Sequence, residues 1–265
     1  MSNEAMNICL IIPAYNEAES LPAVLARIPA CISSIVVVDN GSTDGTGELA
    51  EQLGARVVSE PQRGYGQACL AGIAALQSNP PDLVAFADAD GSDNHPELEK
   101  LITTLQHNTL DLVLAQRIPK TRRALSIQQR FGNRLATSLV SLIWRTNFRD
   151  LGPMRVIRWQ ALLDLNMADQ NFGWTIEMQV KAAQQRLRWQ EIPITYLPRF
   201  AGQSKISRTI SGVIQAGTKI LWIVARETWR DRRNVVSLRT QHRCFLRYKK
   251  AAAVNNRANT GANQM

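Results

Sequence analysis

Five short apolar runs constrain this chain more than any other feature: Ile8–Ile12, Ile35–Val38, Val57–Val58, Leu83–Ala87 and Leu112–Ala115. Each is no longer than a strand, and most are rich in Ile, Val or Leu without alternation, the pattern of strands buried on both faces. Helical patterns lie between them. Glu17–Ile28 carries Leu21, Val24, Leu25 and Ile28 at helical spacing, Thr43–Leu53 follows a Ser/Thr/Asp cluster, and Gly66–Leu76 is rich in alanine. His95–Leu105 has Pro96 in its first turn. The rhythm βαβαβαβα predicts an α/β fold, a mainly parallel sheet flanked by helices on both faces. Such sheets collect ligands at the carboxyl ends of their strands. The polar motifs fall there: "PAYNE" after the first run, "DNGSTDGT" after the second and "DADGSD" after the fourth.

The last of these ends a buried run in three carboxylates, Asp88, Asp90 and Asp93. Like charges so close together repel and are costly to desolvate, so a positive group belongs beside them. Asp-x-Asp leaving a strand can present both carboxylates at one site, and two hard oxygen ligands suit Mg²⁺ or Mn²⁺ bridging to a substrate phosphate. Asp88 and Asp90 are therefore candidate metal ligands, with helix capping as the competing reading. Asp93 or Asn94, just before Pro96, reads as the cap of the next helix. In "VVVDNGSTDGT", Asp39 can accept from a base or a ribose hydroxyl, and Gly41 and Gly45 permit tight turns. The pattern GxGxxG does not occur, and "RGYGQA" is only a fragment of it, which argues against a dinucleotide site.

The second half is less regular. Leu125–Trp144 predicts a helix with Phe131, Leu135, Leu139 and Leu142 on one side. Ala161–Leu165 and Ile176–Gln184 read as helices and Arg188–Tyr196 as a strand. Ile206–Trp229 is amphipathic, with Ile206, Ile210, Val213, Ile214, Ile220, Leu221 and Val224 on one face. The expected organisation is one domain over residues 1–230, made of a first half (7–115), a second half (116–205) and an amphipathic helix (206–230). Residues 231–265, basic and low in complexity, read as a disordered tail.

The formal net charge of +9 is unevenly spread. From Arg117 to Arg149 there is no acidic residue among eight Lys and Arg, which points to anionic partners. Nucleic acid is set aside, because neither a stacking platform nor a recognition helix is present. The four cysteines are scattered, without metal-ligand spacing, as in a reducing compartment. No apolar run approaches the ~20 residues of a membrane span. The N-terminus lacks the features of a signal peptide, so the expected location is cytoplasmic.

"IIPAYNE", "VVVDNGSTDGT" and "DADGS", in this order and at these separations, resemble the inverting family 2 glycosyltransferases of GT-A fold. "DLGPMRVIR", "GWTIEMQVKA" and "EIPITYLPRFAGQSKIS" are similar to the branch that contains dolichol-phosphate mannosyltransferases and other polyprenyl-phosphate glycosyltransferases. The resemblance covers roughly residues 7 to 210. It implies that Pro13, Tyr15 and Glu17 flank the base and ribose, that Asp39, beside the Val38 backbone, contacts them, and that Asp88, the Ala89 carbonyl and Asp90 hold ribose, metal and diphosphate. Arg117, Arg199 and Lys205 would engage phosphate charge. The sequence departs from the family at Asn40, where a second aspartate is usual, at Ser92, where the mannosyltransferases often have glutamine, and at "GPMR" in place of "GFR".

The expected reaction is a single in-line displacement with inversion. It moves a hexose, glucose or mannose, from UDP-glucose or GDP-mannose to a polyprenyl or dolichyl phosphate at the cytoplasmic membrane face. The alternative is a soluble acceptor. A phosphate acceptor already carries its nucleophilic anion, whereas a hydroxyl needs a base, for which Asp150 and Glu177 are the candidates. Pairing with Lys181 is the competing reading for Glu177, and a turn cap or ion pair is that for Asp150. The 206–229 segment, with Arg226 and Arg230 near its end, is expected either at an anionic membrane interface or packed on protein. The oligomeric state is left open.

Overall fold

The computed structural model describes residues 6–121, 127–200, 218–219 and 221–229. The alternation read from the sequence is present through the first half: β1 (Ile8–Ala14), α1 (Leu21–Leu25), β2 (Ser34–Asp39), α2 (Thr46–Gln52), β3 (Arg56–Ser59), α3 (Tyr65–Leu76) and β4 (Leu83–Phe86). A 3₁₀ turn, His95–Glu97, leads into α4 (Leu98–His107) and then β5 (Leu112–Pro119). The second half contributes α5 (Ile127–Trp144), β6 (Arg155–Arg158), α6 (Trp159–Leu165), α7 (Trp174–Gln184) and β7 (Trp189–Tyr196). Two compact units are distinguished, Met1–Val224 and Ala225–Met265. Residues 225–229 of the second are helical. The expected tail, 231–265, and most of the 206–230 segment lie outside the described residues.

All seven strands form one sheet in the order β3-β2-β1-β4-β6-β5-β7. β1 pairs in parallel with β2 and β4, as do β2 with β3 and β5 with β7. β6 is the exception: it runs antiparallel between β4 and β5. Nothing in the hydrophobic pattern announced it, because "RVIR" is four residues bounded by arginines. It pairs because both neighbours present free edges there, and the guanidinium of Arg155 is buried with it. That cation has no carboxylate partner among the described residues. It donates to the carbonyls of Gly152, Pro153 and Thr175 and lies 5.7 Å from the centre of the Trp174 ring. Carbonyl oxygens thus replace the water it loses.

Residues of alternate parity feed two cores, one on each face of the sheet. Ile11, Val38, Val84, Phe86 and Leu114 pack with α3, α6 and α7 on one side. Leu10, Ile12, Val37, Ala85 and Val113 pack with α1 and α4 on the other. Helix α5 forms as expected, but it buries Ala136, Thr137 and Val140 against the domain, and Phe131, Leu135 and Leu142 point outward. Of the amphipathic face expected in 206–229, only Leu221 and Val224 are described, and they differ: Val224 is buried while Leu221 is half exposed.

Helix α3 lies close on the sheet because Gly72 has no side chain. A Cβ there would come within 2.7 Å of Ile11 Cγ2 and 3.1 Å of Val38 Cγ2. Both neighbours are β-branched and cannot swing aside. Gly72→Val is therefore expected to lower unfolding stability by about 1–3 kcal/mol, seen as a lower urea midpoint with an unchanged m-value. An unchanged midpoint would mean that α3 does not approach β1 this closely.

Candidate active site

At the carboxyl ends of β1, β2 and β4 the sheet opens into a cleft of about 330 Å³. Pro13, Tyr15 and Glu17, which follow or end β1, line one wall, and Asp88, Ala89 and Asp90, which follow β4, line another. Arg199, just beyond β7, closes that side. Three of the motifs read from the sequence thus meet at one sheet edge.

The three carboxylates beyond β4 each have a different environment. One oxygen of Asp90 pairs with the Arg199 guanidinium at 2.8 Å, and the other accepts from the Ser92 N–H and hydroxyl. Asp93 or Asn94 is the helix cap expected from the sequence. Neither makes a capping bond. Asp93 turns back to accept the Asp88 N–H at 3.0 Å. Asn94 spends its side chain on Arg27 and Glu97. Burial pushes the Asp93 carboxyl up to about 7. Burial likewise drives His95, whose Nε2 lies 3.2 Å from the Asp88 carbonyl, down to about 4, leaving a neutral ring at pH 7.

Asp88 remains, half-buried and facing the cleft. Among the described residues its carboxylate has no hydrogen-bond or ion-pair partner. Burial, and then repulsion from Asp93 and Asp90, raise its pKa well above the usual carboxylate range. A carboxylate held in this way fits a cation. No cluster of three Asp, Glu, His or Cys side chains suited to holding a metal occurs among the described residues. The donor set therefore suits an ion that keeps waters and takes oxygens from its substrate, as Mg²⁺ or Mn²⁺ does, rather than one that needs a closed protein cage.

Of the other residues predicted from sequence, Val38, Asp39 and Glu177 do not line the cleft. Val38 is fully buried and does not line the cleft. Asp39 accepts the Ser42 N–H at 3.0 Å and backs onto Gly47, shaping the turn after β2 rather than the cleft wall. The Ala89 carbonyl accepts from the Ser20 hydroxyl at 2.8 Å. Glu177 has no exposed surface: it accepts the N–H groups of Ala168 and Asp169 and pairs with Lys181 at 3.0 Å. That carboxylate holds a loop and has no face to offer a substrate hydroxyl. Lys205 lies outside the described residues.

Arg117 and Asp150 find each other. Two guanidinium nitrogens of Arg117 meet the two carboxylate oxygens of Asp150 at 2.8 Å, and the Arg117 N–H adds a third bond of the same length. Burial alone would raise the Asp150 pKa, but Arg117 outweighs it and holds the carboxyl below its ordinary range. An acid so paired is a poor proton acceptor. The pair borders a second recess of about 240 Å³, lined also by Arg130, Asn133 and Arg149.

Several lining residues were missed. Asn40, half of the "DN" pair, donates to the carbonyls of Glu60 and Gln62 at 3.0 and 2.7 Å and accepts the Gly64 N–H at 2.8 Å. An ionised aspartate could not supply the two donated bonds. The loop so held sets the Arg63 guanidinium 4.2 Å from the centre of the Tyr15 ring, inside the cleft. Cβ atoms on Gly64 and Gly66 would lie 2.2 and 2.0 Å from the carbonyl oxygens of Gln170 and Asp169. These glycines let α3 abut the loop that brings Asn171 and Phe172 to the cleft. Two glycines flanking Tyr65 signal such a close approach, and "RGYGQA" carried that signal.

Comparison with known proteins places this arrangement. An uncharacterized glycosyltransferase of Mycobacterium tuberculosis is 40% identical over 220 residues, 82% of this chain and 96% of the relative. The undecaprenyl-phosphate mannosyltransferase of Micrococcus luteus is 31% identical over 228 residues, covering 78% of this chain and 90% of that one. Among solved structures, glucosyl-3-phosphoglycerate synthase from M. tuberculosis, in complex with Mn²⁺, UDP and glucosyl-3-phosphoglycerate, superposes with a TM-score of 0.63 at 20% identity, over 83% of this chain and 80% of that one. The fold is that of the GT-A enzymes, and the protein is a glycosyltransferase. It belongs to glycosyl transferase family 2, which it matches over residues 9–163.

Two outcomes follow from the polar contacts. Asn40→Asp places a carboxylate against two carbonyls, so stability at pH 7 is expected to fall by about 1–3 kcal/mol. The deficit should shrink as the pH drops, since a carboxyl whose folded pKa is raised costs least when protonated. A deficit that does not change with pH would overturn the hydrogen-bond assignment. Arg117→Met leaves Asp150 buried and unpaired and should cost about 3–5 kcal/mol in chemical denaturation. Adding Asp150→Leu should recover most of that loss.

Proposed function

We propose that this glycosyltransferase transfers a hexose, with inversion, from a nucleoside diphosphate sugar to a polyprenyl phosphate at the cytoplasmic face of a membrane. The observation that carries the acceptor is the state of the two candidate bases. Glu177 is buried and engaged, and Asp150 is committed to Arg117. Neither is available to deprotonate a hydroxyl, whereas a phosphate acceptor arrives already anionic. The recess beside the Arg117–Asp150 pair is lined also by Arg130 and Arg149, which supports an anionic acceptor there. The undecaprenyl-phosphate mannosyltransferase relative supports the same choice.

The donor would lie in the main cleft. Tyr15 and Arg63 would form a flat, cationic wall for the nucleoside, and Asp88 and Asp90 would hold a divalent ion. That ion, when bound, supplies charge neutralisation for the departing diphosphate. Arg199, held by Asp90, adds a fixed cation on the same side, so that charge leaving the sugar meets positive groups already in place. The Mn²⁺ and UDP in the solved glucosyl-3-phosphoglycerate synthase complex support this part of the reading. That synthase also supports the second reading, a soluble phosphorylated acceptor.

The test is transfer of labelled sugar from UDP-glucose and, separately, GDP-mannose into an organic-soluble product, with polyprenyl phosphate present or omitted. Lipid product is expected only with polyprenyl phosphate and Mg²⁺ or Mn²⁺. Asp88→Asn and Asp90→Asn should each lower the rate by about 10² or more, the scale of losing a transition-state charge partner. Transfer to 3-phosphoglycerate, with none to the lipid, would overturn the acceptor and leave the donor site standing.

A further inference from the structure

The loop between α6 and α7 brings two uncommitted side chains to the main cleft. Asn171 and Phe172 both line it, and Phe172 is 42% exposed. Among the described residues the Phe172 ring makes no stacking or cation–π contact, and the Asn171 amide has no hydrogen-bond partner. The backbone that carries them is, by contrast, held from several directions. Glu177 accepts the Ala168 and Asp169 N–H groups, and the Asp169 carboxylate accepts those of Asn171 and Gly173 at 2.9 and 3.1 Å. The Gln170 carbonyl accepts the Gln67 N–H at 2.8 Å, and the Lys219 ammonium pairs with Asp169 at 2.8 Å. Ile223 packs over Gly173 so closely that no Cβ would fit there. Leaving a large apolar ring in water forgoes the stabilisation that burial would bring. A fixed loop that nevertheless holds a ring and an amide open to a cleft is built to meet a ligand.

We infer that Phe172 and Asn171 recognise the hexose of the donor, the ring as a platform for the sugar and the amide as a reader of its hydroxyls. The inference deepens the proposed donor site and rests on it, because that reading puts a nucleoside diphosphate sugar in this cleft. The other parts of such a donor would be met elsewhere on its walls. The base would face Tyr15 and Arg63, and the diphosphate would face the ion at Asp88 and Asp90 together with Arg199. A pyranose is what remains, and its chemistry matches the wall that remains. One face of a pyranose is a surface of weakly positive C–H groups, which lies well on the negative face of an aromatic ring. Its rim is hydroxyls, each both donor and acceptor, and a primary amide offers them two donors and an acceptor. A diphosphate would gain nothing from a phenyl ring, and a prenyl chain nothing from an amide. Asn40 marks the difference within the same cleft: its amide is spent on three backbone groups and holds a loop, whereas that of Asn171 is spent on none.

The experiment is calorimetric titration of the full chain, with Mn²⁺ and without acceptor, against UDP and UDP-glucose and against GDP and GDP-mannose. For whichever nucleotide the wild type binds, Phe172→Ala should weaken the sugar-bearing form about five- to tenfold and the plain diphosphate less than about twofold. Phe172→Tyr keeps the ring and should keep the wild-type affinity. Asn171→Ala should narrow the preference for UDP-glucose over UDP-galactose, or for GDP-mannose over GDP-glucose, by about fivefold. Both side chains are exposed, so the unfolding midpoint should not move in any of these variants. Equal losses for diphosphate and nucleotide sugar would overturn the inference and assign this wall to the nucleoside. An undiminished affinity of Phe172→Ala for the nucleotide sugar would also overturn it, and a raised KM for polyprenyl phosphate in that variant would then assign the ring to the acceptor. If the wild type binds neither nucleotide nor nucleotide sugar, the donor reading itself falls and the inference falls with it.

Discussion

Crowding of carboxylates at the end of β4 is the constraint around which the rest of this molecule is arranged. Three aspartates within six residues repel one another and must each be compensated. One oxygen of Asp93 accepts the Asp88 N–H from within the turn, and its other oxygen is buried without a hydrogen-bond partner among the described residues. Asp90 is satisfied from a distant segment of the chain, by Arg199 just beyond β7. The same strap is reinforced along the backbone, where the Leu197 and Phe200 N–H groups donate to the Ser92 and Asp90 carbonyls. The C-terminal half is thereby tied to the strand end that carries the chemistry. Asp88, left facing the cleft without a partner among the described residues, is the charge still open to a ligand.

Several other buried charges are given oxygen or nitrogen partners that fix a loop. Arg117 and Asp150 join the end of β5 to the segment before β6, and Glu177 with Lys181 organises residues 166–169. Arg155, without a carboxylate, gathers three carbonyls around the "GPMR" turn. Asp150 and Glu177, which read as candidate bases from their type and order, are engaged in ion pairs and hydrogen bonds that hold loops. Removing one partner of such a clamp costs far more than the intact pair contributes, because the remaining charge is stranded out of water.

Much of the nucleotide half was legible because its signals are local. A non-alternating Ile/Val run says that both faces are covered, and a polar, glycine-containing segment directly after it says where the chain leaves the sheet. That sufficed to put Pro13, Tyr15, Glu17, Asp88 and Asp90 at one edge. What was illegible depends on distant partners. β6 is a strand only because β4 and β5 leave room for it, and Asn40 matters through carbonyls about twenty residues away. Asp39 and Val38, by contrast, follow the strand rule correctly and still miss the cleft, since the turn after β2 points the Asp39 carboxylate back towards Ser42 and Gly47.

The sequence by itself determined the α/β class, the identity of the functional edge, the acidic strand end and the family. These are properties of periodicity and of motif order, which survive without knowing any long-range contact. Tertiary structure alone decided which carboxylates are free and which are paired, because pairing is a matter of a few ångströms between segments far apart in the chain. It also decided which side of α5 faces inward. Helical periodicity puts Phe131, Leu135, Leu139 and Leu142 on one face, but only packing against the domain, through Ala136, Thr137 and Val140, turns that face outward.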